Sequence, residues 1–170
     1  MRFFVYIIIS ATIISCSGDV EEFRQIDMNQ LQEDLLEANK KATTIEAKQI
    51  EDYIKRKNLE VVKTQTGLSY QIYNDLEGEL ITKNQIAAVK YTVSLLDDTE
   101  CYSTEKGVEE FTVGQDYVES GLHEGIAFMS AGDKAIIIIP SHLAHGLAGD
   151  LKKIPFRATI VYDIELVAIK

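Results

Sequence analysis

The chain has 170 residues, of which 46% are hydrophobic and 26% charged, the balance of a globular protein with a real core rather than a disordered or collagen-like one. Its 17 lysines and arginines face 27 acidic residues, a formal net charge of −10, which argues against a nucleic-acid-binding surface. The two cysteines, Cys16 and Cys101, are too few for a disulfide framework.

At the N-terminus, Met1-Arg2 is followed by the apolar run Phe3 to Ile14 and then Ser15-Cys16. A cation, a short apolar run and a small residue make up the layout of a secretory signal peptide. The run is too short to cross a bilayer, which takes about 20 apolar residues. Ile13-Ile14-Ser15-Cys16 resembles a bacterial lipobox, in which the cysteine is acylated and becomes the first residue of the mature chain. Residues 1–15 are therefore expected to be a lipoprotein signal peptide, and Cys16 the lipidation site. Acyl chains contribute about 0.8 kcal/mol per buried CH₂, and more than one chain anchors stably. The expected location is the bacterial cell envelope, as an exported, membrane-anchored lipoprotein facing the periplasm or the outer-membrane surface. Residues 16–27, with Asp19, Glu21 and Glu22, read as an acidic tether. Cys101 is then a lone thiol, expected to be buried as a small hydrophobe.

Two helical patterns follow within residues 28–58. The first begins at Asp27, with Gln30 at capping-box spacing and Leu31, Leu35 and Ala38 on one face. The second begins near Thr43, with Glu46 three residues on and a stripe of Ala47, Ile50 and Ile54. Lys55, Arg56 and Lys57 crowd its last turn, where cations suit the helix dipole. Such a pair either packs on the following domain or forms a dimerisation or envelope-docking element.

From residue 59 the period changes to two. Leu68, Tyr70 and Ile72, and then Val89, Tyr91, Val93 and Leu95, alternate with polar residues, as strands with one wet face do. Phe111 and Val113 mark a short strand. Ala135 to Ile139 is a continuous apolar run, and Thr159 to Ile169 a long final strand. One short helix is expected over about Val118 to Met129, from Val118, Leu122 and Ile126. The fold class is α+β, a curved antiparallel sheet around one short helix, preceded by the helical segment.

No Gly-rich phosphate loop and no Gly-x-Ser-x-Gly elbow occur. His142 and His145 make a His-x-x-His pair, but no defined third ligand accompanies it, so no metal and no cofactor are expected.

In order along the chain stand Val89-Lys90-Tyr91-Thr92, Gly121-Leu122-His123-Glu124-Gly125-Ile126, Ser130-Ala131-Gly132-Asp133-Lys134, Ile137-Ile138-Ile139-Pro140, Ala144-His145-Gly146, Ile154-Pro155 and Thr159-Ile160-Val161-Tyr162-Asp163-Ile164-Glu165-Leu166. This linked set resembles the FK506-binding-protein (FKBP) type of peptidyl-prolyl cis-trans isomerase, or rotamase, from about Gly67 to Lys170, within a domain over residues 59–170. Glu119 to Gly125 and Pro140 to Leu147 are similar to one subgroup, the gliding-motility-associated isomerase lipoproteins of the Bacteroidota.

The resemblance implies an enzyme of protein folding that acts on proline-containing segments of exported proteins. It assigns Tyr91, Tyr102, His145 and Tyr162 catalytic places. Cys101, Phe111, Val118, Glu119, Leu122 and Ile154 would bind substrate, with the Glu119 backbone N–H holding the substrate main chain and Leu122 as the floor. Cys101-Tyr102 stands where the family usually has Phe-Asp, Leu122 where the most active members have Trp, and His145 where a Tyr donates to the substrate carbonyl. A neutral imidazole can still donate from one nitrogen, and Tyr102 offers a hydroxyl in place of the missing carboxylate. Modest isomerase activity is expected, the alternative being a non-catalytic, chaperone-like module that holds proline segments.

Overall fold

The computed structural model describes residues 27–104 and 107–170. The expected signal peptide, the tether up to residue 26 and Cys16 lie outside the described residues. The chain divides into two units, Met1–Leu36 and Glu37–Lys170. No helix among the described residues is long and apolar enough to cross a membrane.

A single helix, α1 (Met28–Lys57), stands where two were expected. Asp27 caps it, its Oδ1 accepting from the N–H groups of Asn29 at 2.9 Å and Gln30 at 3.4 Å. The capping box is only half made, because Gln30 Nε2 turns forward to Asp34 Oδ1 at 2.9 Å. In the first unit, Met28, Leu31, Leu35 and Leu36 are exposed. The helix runs through Thr43 without a break. No Gly or Pro intervenes, and the Thr43 and Thr44 hydroxyls donate back to carbonyls of Asn39 and Lys40 at 2.8–3.2 Å, which lets threonine sit in a helix interior.

Seven strands follow: β1 (Val62–Lys63), β2 (Ser69–Asn74), β3 (Ile86–Leu95), β4 (Glu100–Ser103), β5 (Glu109–Thr112), β6 (Lys134–Ile139) and β7 (Ile160–Ile169). They form one antiparallel sheet in the order β1-β2-β6-β7-β3-β4, with β5 also paired to β3. The short helix α2 covers Ser120–Ile126. It is shorter than expected because the chain leaves the helical path after Ile126: Met129 is buried in the core, and its carbonyl accepts from the N–H of Ile81 at 3.0 Å.

On one face of the sheet, Leu122 and Ile126 of α2 join Leu68, Val89, Ile137, Ile164 and Leu166 in the main core. Helix and strand approach so closely that a Cβ on Gly121 would lie 2.3 Å from Ile139 Cγ2, and one on Gly125 2.8 Å from Ile137. On the other face, Ile50 and Tyr53 of α1 pack on Ile138 and Val161. The unbroken apolar run of β6 thus serves two covered faces, odd positions toward α2 and Ile138 toward α1.

Glu46 ties α1 to this domain. Its Oε1 accepts from the Ser141 N–H at 2.7 Å and from Thr159 Oγ1 at 2.8 Å, and its Oε2 from Ser141 Oγ at 3.1 Å. Ser141 opens a 3₁₀ turn, Ser141–Leu143, that leads into Ala144 and His145.

Candidate functional site

The sheet curls around the start of α2 to leave a cavity of about 480 Å³. Its walls come from four strands, α2 and two loops. Tyr91 and Val93 reach it from β3, Tyr102 from β4, Phe111 from β5 and Tyr162 from β7. Leu122 of α2, with Val118 and Glu119 just ahead of that helix, and His145, Asp150 and Ile154 of the loop before β7 complete it. The Tyr91 and Tyr162 rings meet edge to face, with centroids 5.3 Å apart. Leu122, 2% exposed, belongs to both core and cavity.

All the expected site residues but one line this space. Cys101 does not; it is 1% exposed and belongs to the core, with Sγ 3.8 Å from the carbonyls of Thr99 and Lys153. Neighbours on a strand face opposite ways, so with Tyr102 on the cavity, Cys101 backs the wall. Desolvation there pushes its thiol pKa up, leaving it a packing residue.

The polar groups are arranged in pairs of neutral donor and carboxylate. Tyr91 Oη donates to Glu109 Oε2 at 2.7 Å, and Tyr162 Oη to Glu119 Oε2 at 3.1 Å. Tyr102 Oη donates to Asp150 Oδ2. Burial, then the Glu109 hydrogen bond, raises the Tyr91 pKa. Burial, then the charge of Glu119, raises that of Tyr162. Both phenols are therefore firmly neutral donors. Asp150 is desolvated, which works against its charge. Hydrogen bonds from Tyr102 and from the N–H groups of Ile154 and Lys152 outweigh this and hold its carboxyl well below the usual range.

His145 Nε2 lies 2.9 Å from Glu119 Oε1. A carboxylate only accepts, so the hydrogen sits on Nε2. The donor that the resemblance assigned to a substrate carbonyl is thus already given to Glu119. Tyr102 is likewise no stand-in for a missing carboxylate, because Asp150 supplies one from the facing loop. The main-chain donor differs. Val118 N–H donates to Asp116 at 2.9 Å, while no hydrogen bond from the Glu119 N–H is found among the described residues.

Asp150, Glu109 and the exposed Tyr117 also line the cavity, and the sequence reading missed them. Asp150 had a local signal. It follows Gly149, whose φ of +66° and lack of room for a Cβ mark a turn that only glycine makes, and it accepts from N–H groups two and four residues on. Glu109 had none, since its role depends on β5 pairing with β3. His142 and His145 turn to different partners, His142 Nε2 lying 2.9 Å from the Thr66 carbonyl. Among the described residues, no group of three or more His, Cys, Asp or Glu side chains is placed to hold a metal ion.

Fold and cavity together define a sheet-around-helix domain with an aromatic-walled pocket. A family model, FKBP-type peptidyl-prolyl cis-trans isomerase, matches residues 77–167, more than half of the chain, which therefore belongs to this family. The chain is 38% identical over 111 residues to the FKBP-type peptidyl-prolyl cis-trans isomerase FkpA of Buchnera aphidicola subsp. Schizaphis graminum, covering 65% of this chain and 44% of that protein. It is 34% identical over 110 residues to FkpA of Escherichia coli K12, covering 64% and 40%. It thus spans less than half the length of these relatives. The crystal structure of FkpA from Escherichia coli superposes with a TM-score of 0.66 at 30% identity, covering 84% of this chain and 70% of that one. The N-terminal domain of FKBP42 from Arabidopsis thaliana, at 23% identity and a TM-score of 0.62, covers 66% of this chain and 93% of that one and shares the fold.

Proposed function

We propose that the chain is a peptidyl-prolyl cis-trans isomerase acting on X-Pro bonds of exported proteins. The observation that carries the reading is the cavity walled by Tyr91, Phe111, Leu122, Ile154 and Tyr162 in a chain of this family. Rotation about a peptide bond crosses a barrier of about 18–20 kcal/mol, and X-Pro exchange takes tens to hundreds of seconds unaided. No covalent bond is broken, so neither nucleophile nor metal is required. The planar amide is charge-separated and favoured by water; dry apolar walls disfavour it relative to the twisted amide. The Glu119 N–H is the donor free to hold the carbonyl of the twisting bond. The test is the refolding rate of a proline-limited substrate. Micromolar protein should accelerate it, and Tyr91→Ala should lose most of that effect. No acceleration by the unaltered chain would sink the isomerase reading.

A second reading is a chaperone-like module that holds proline segments without catalysing their exchange. It is favoured by the commitment of the Tyr91, Tyr102 and Tyr162 phenols, and of His145, to a carboxylate, and by the exposed Tyr117, Leu151 and Phe156. Suppressed aggregation without acceleration would select it.

The N-terminal sequence supports acylation at Cys16, export and membrane attachment in the cell envelope. The segments Glu119 to Gly125 and Pro140 to Leu147 support kinship with the gliding-motility-associated lipoproteins. The exposed Leu31, Leu35 and Leu36 of α1 suit a homodimer or an envelope partner. Cys16→Ala should release the protein from membranes and abolish labelling with a palmitate analogue; unchanged fractionation would count against the anchor.

A further inference from the structure

We propose that the cavity selects X-Pro bonds in which X is lysine or arginine. This rests on the proline-segment reading above and names its substrate class.

Four carboxylates line the cavity, Glu109, Glu110, Glu119 and Asp150, whereas no lysine or arginine does so among the described residues. The nearby cations are already engaged. Lys170 Nζ neutralises Glu110 at 2.6 Å. Lys153 Nζ sits 5.2 Å from the Tyr102 ring centroid and donates to the Cys101 carbonyl at 2.7 Å.

The other three carboxylates are held mainly by neutral groups, the phenols of Tyr91, Tyr162 and Tyr102 and the N–H groups of Ile154 and Lys152. Such donors fix a carboxylate in place without cancelling its charge. The imidazole of His145 adds a further N–H donor to Glu119 at 2.9 Å. Of the three, Glu119 is well shielded and Asp150 partly so, whereas Glu109 is exposed, so the fixed negative charge is least screened at Glu119.

Glu119 carries both features that matter. Its main-chain N–H is the donor for the substrate carbonyl, and its carboxylate, on a side chain only 13% exposed, faces the same space. A substrate whose X carbonyl meets that N–H brings the X side chain beside the carboxylate. A lysine or arginine there supplies the missing cation, and an acidic X meets like charge.

The test uses three peptides differing only at X, with Lys-Pro, Leu-Pro and Glu-Pro. Affinity is read by NMR titration and isomerisation by NMR exchange. Lys-Pro should bind about tenfold more tightly than Glu-Pro at about 0.1 M salt, the ratio shrinking toward about twofold at about 1 M. Glu119→Gln and, separately, Glu109→Gln should each lower the Lys-to-Glu affinity ratio. A ratio within one variant is unaffected by the fraction of protein folded, and the second variant serves if the first fails to fold. Equal affinities for Lys-Pro and Glu-Pro overturn the proposal, even where exchange is catalysed and the isomerase reading stands. Preferential Lys-Pro binding without catalysed exchange upholds the charge selectivity and overturns the isomerase reading alone.

Discussion

Removing the Glu46 carboxylate tests whether α1 belongs to the working domain. Its oxygens accept three hydrogen bonds, at 2.7, 2.8 and 3.1 Å, from Ser141 N–H, Thr159 Oγ1 and Ser141 Oγ. Ser141 is 8% exposed and Thr159 5%, so Glu46→Ala strands three donors that water reaches poorly. A hydrogen bond to a charged group contributes about 1.5–3 kcal/mol. Bonds to one side chain do not add, so the loss should be about 3 kcal/mol rather than the sum. With a urea m-value of about 2 kcal/mol/M, the unfolding midpoint falls by about 1.5 M. Tm falls by about 6–12 °C. Glu46→Gln keeps one acceptor oxygen and should fall roughly midway. The same turn delivers Ala144 and His145 to the cavity, so Glu46→Ala should also weaken proline-peptide binding. A midpoint shift below about 0.3 M at unchanged m would refute the reasoning, because a linchpin carboxylate cannot be that cheap to remove.

Asp150→Asn should destabilise the domain at neutral pH. The native Asp150 pKa is depressed, so its contribution is present above the unfolded value of about 3.9 and lost as pH falls through the lower native one. The gap in urea midpoint between the two proteins should close below about pH 4; a constant gap down to about pH 2 would contradict this. In alkali, Tyr91 and Tyr162 should ionise late in the folded protein, as should Tyr73, pushed up to about 12. Because these values are raised, their contribution is complete below about pH 10 and lost above it, which tyrosinate absorbance followed alongside circular dichroism will show. The chain has no tryptophan, so Leu122→Trp places a single indole at the cavity floor. Its emission should shift on adding a proline peptide and exchange should quicken, whereas a stability loss beyond about 3 kcal/mol would mean the floor has no room for the ring.

The sheet was legible because alternation is a local signal. Val89, Tyr91, Val93 and the apolar run at Ala135 to Ile139 announce their strands without knowledge of any partner. The cavity walls were legible through the resemblance, since Tyr91, Leu122 and Tyr162 are at once core and lining. The break expected at Thr43 illustrates the opposite case. Thr43 and Glu46 have capping-box spacing, yet the threonine satisfies itself within the helix and the glutamate serves Ser141 and Thr159, about a hundred residues away in sequence. A local pattern cannot distinguish a residue that closes a turn from one that ties a helix to a distant loop.

Cys101 and Tyr102 show how far a resemblance carries and where strand geometry takes over. The resemblance set both on the wall, but adjacent strand residues face opposite ways. With Tyr102 donating across the cavity to Asp150, Cys101 has only the core to enter. That one orientation shapes the chemistry of the site. The carboxylate facing β4 comes from the loop at Asp150, and the β4 position is a phenol that holds it. Glu119 repeats the arrangement with Tyr162 and His145, and Glu109 with Tyr91. The hydroxyls of Tyr91, Tyr102 and Tyr162 and the imidazole thus anchor fixed negative charge, and on the proposed reading the Glu119 main-chain N–H is the donor left for substrate. On the proposed reading, the pocket's catalytic strength should therefore depend on desolvation and that single N–H, and its choice of substrate on the three carboxylates.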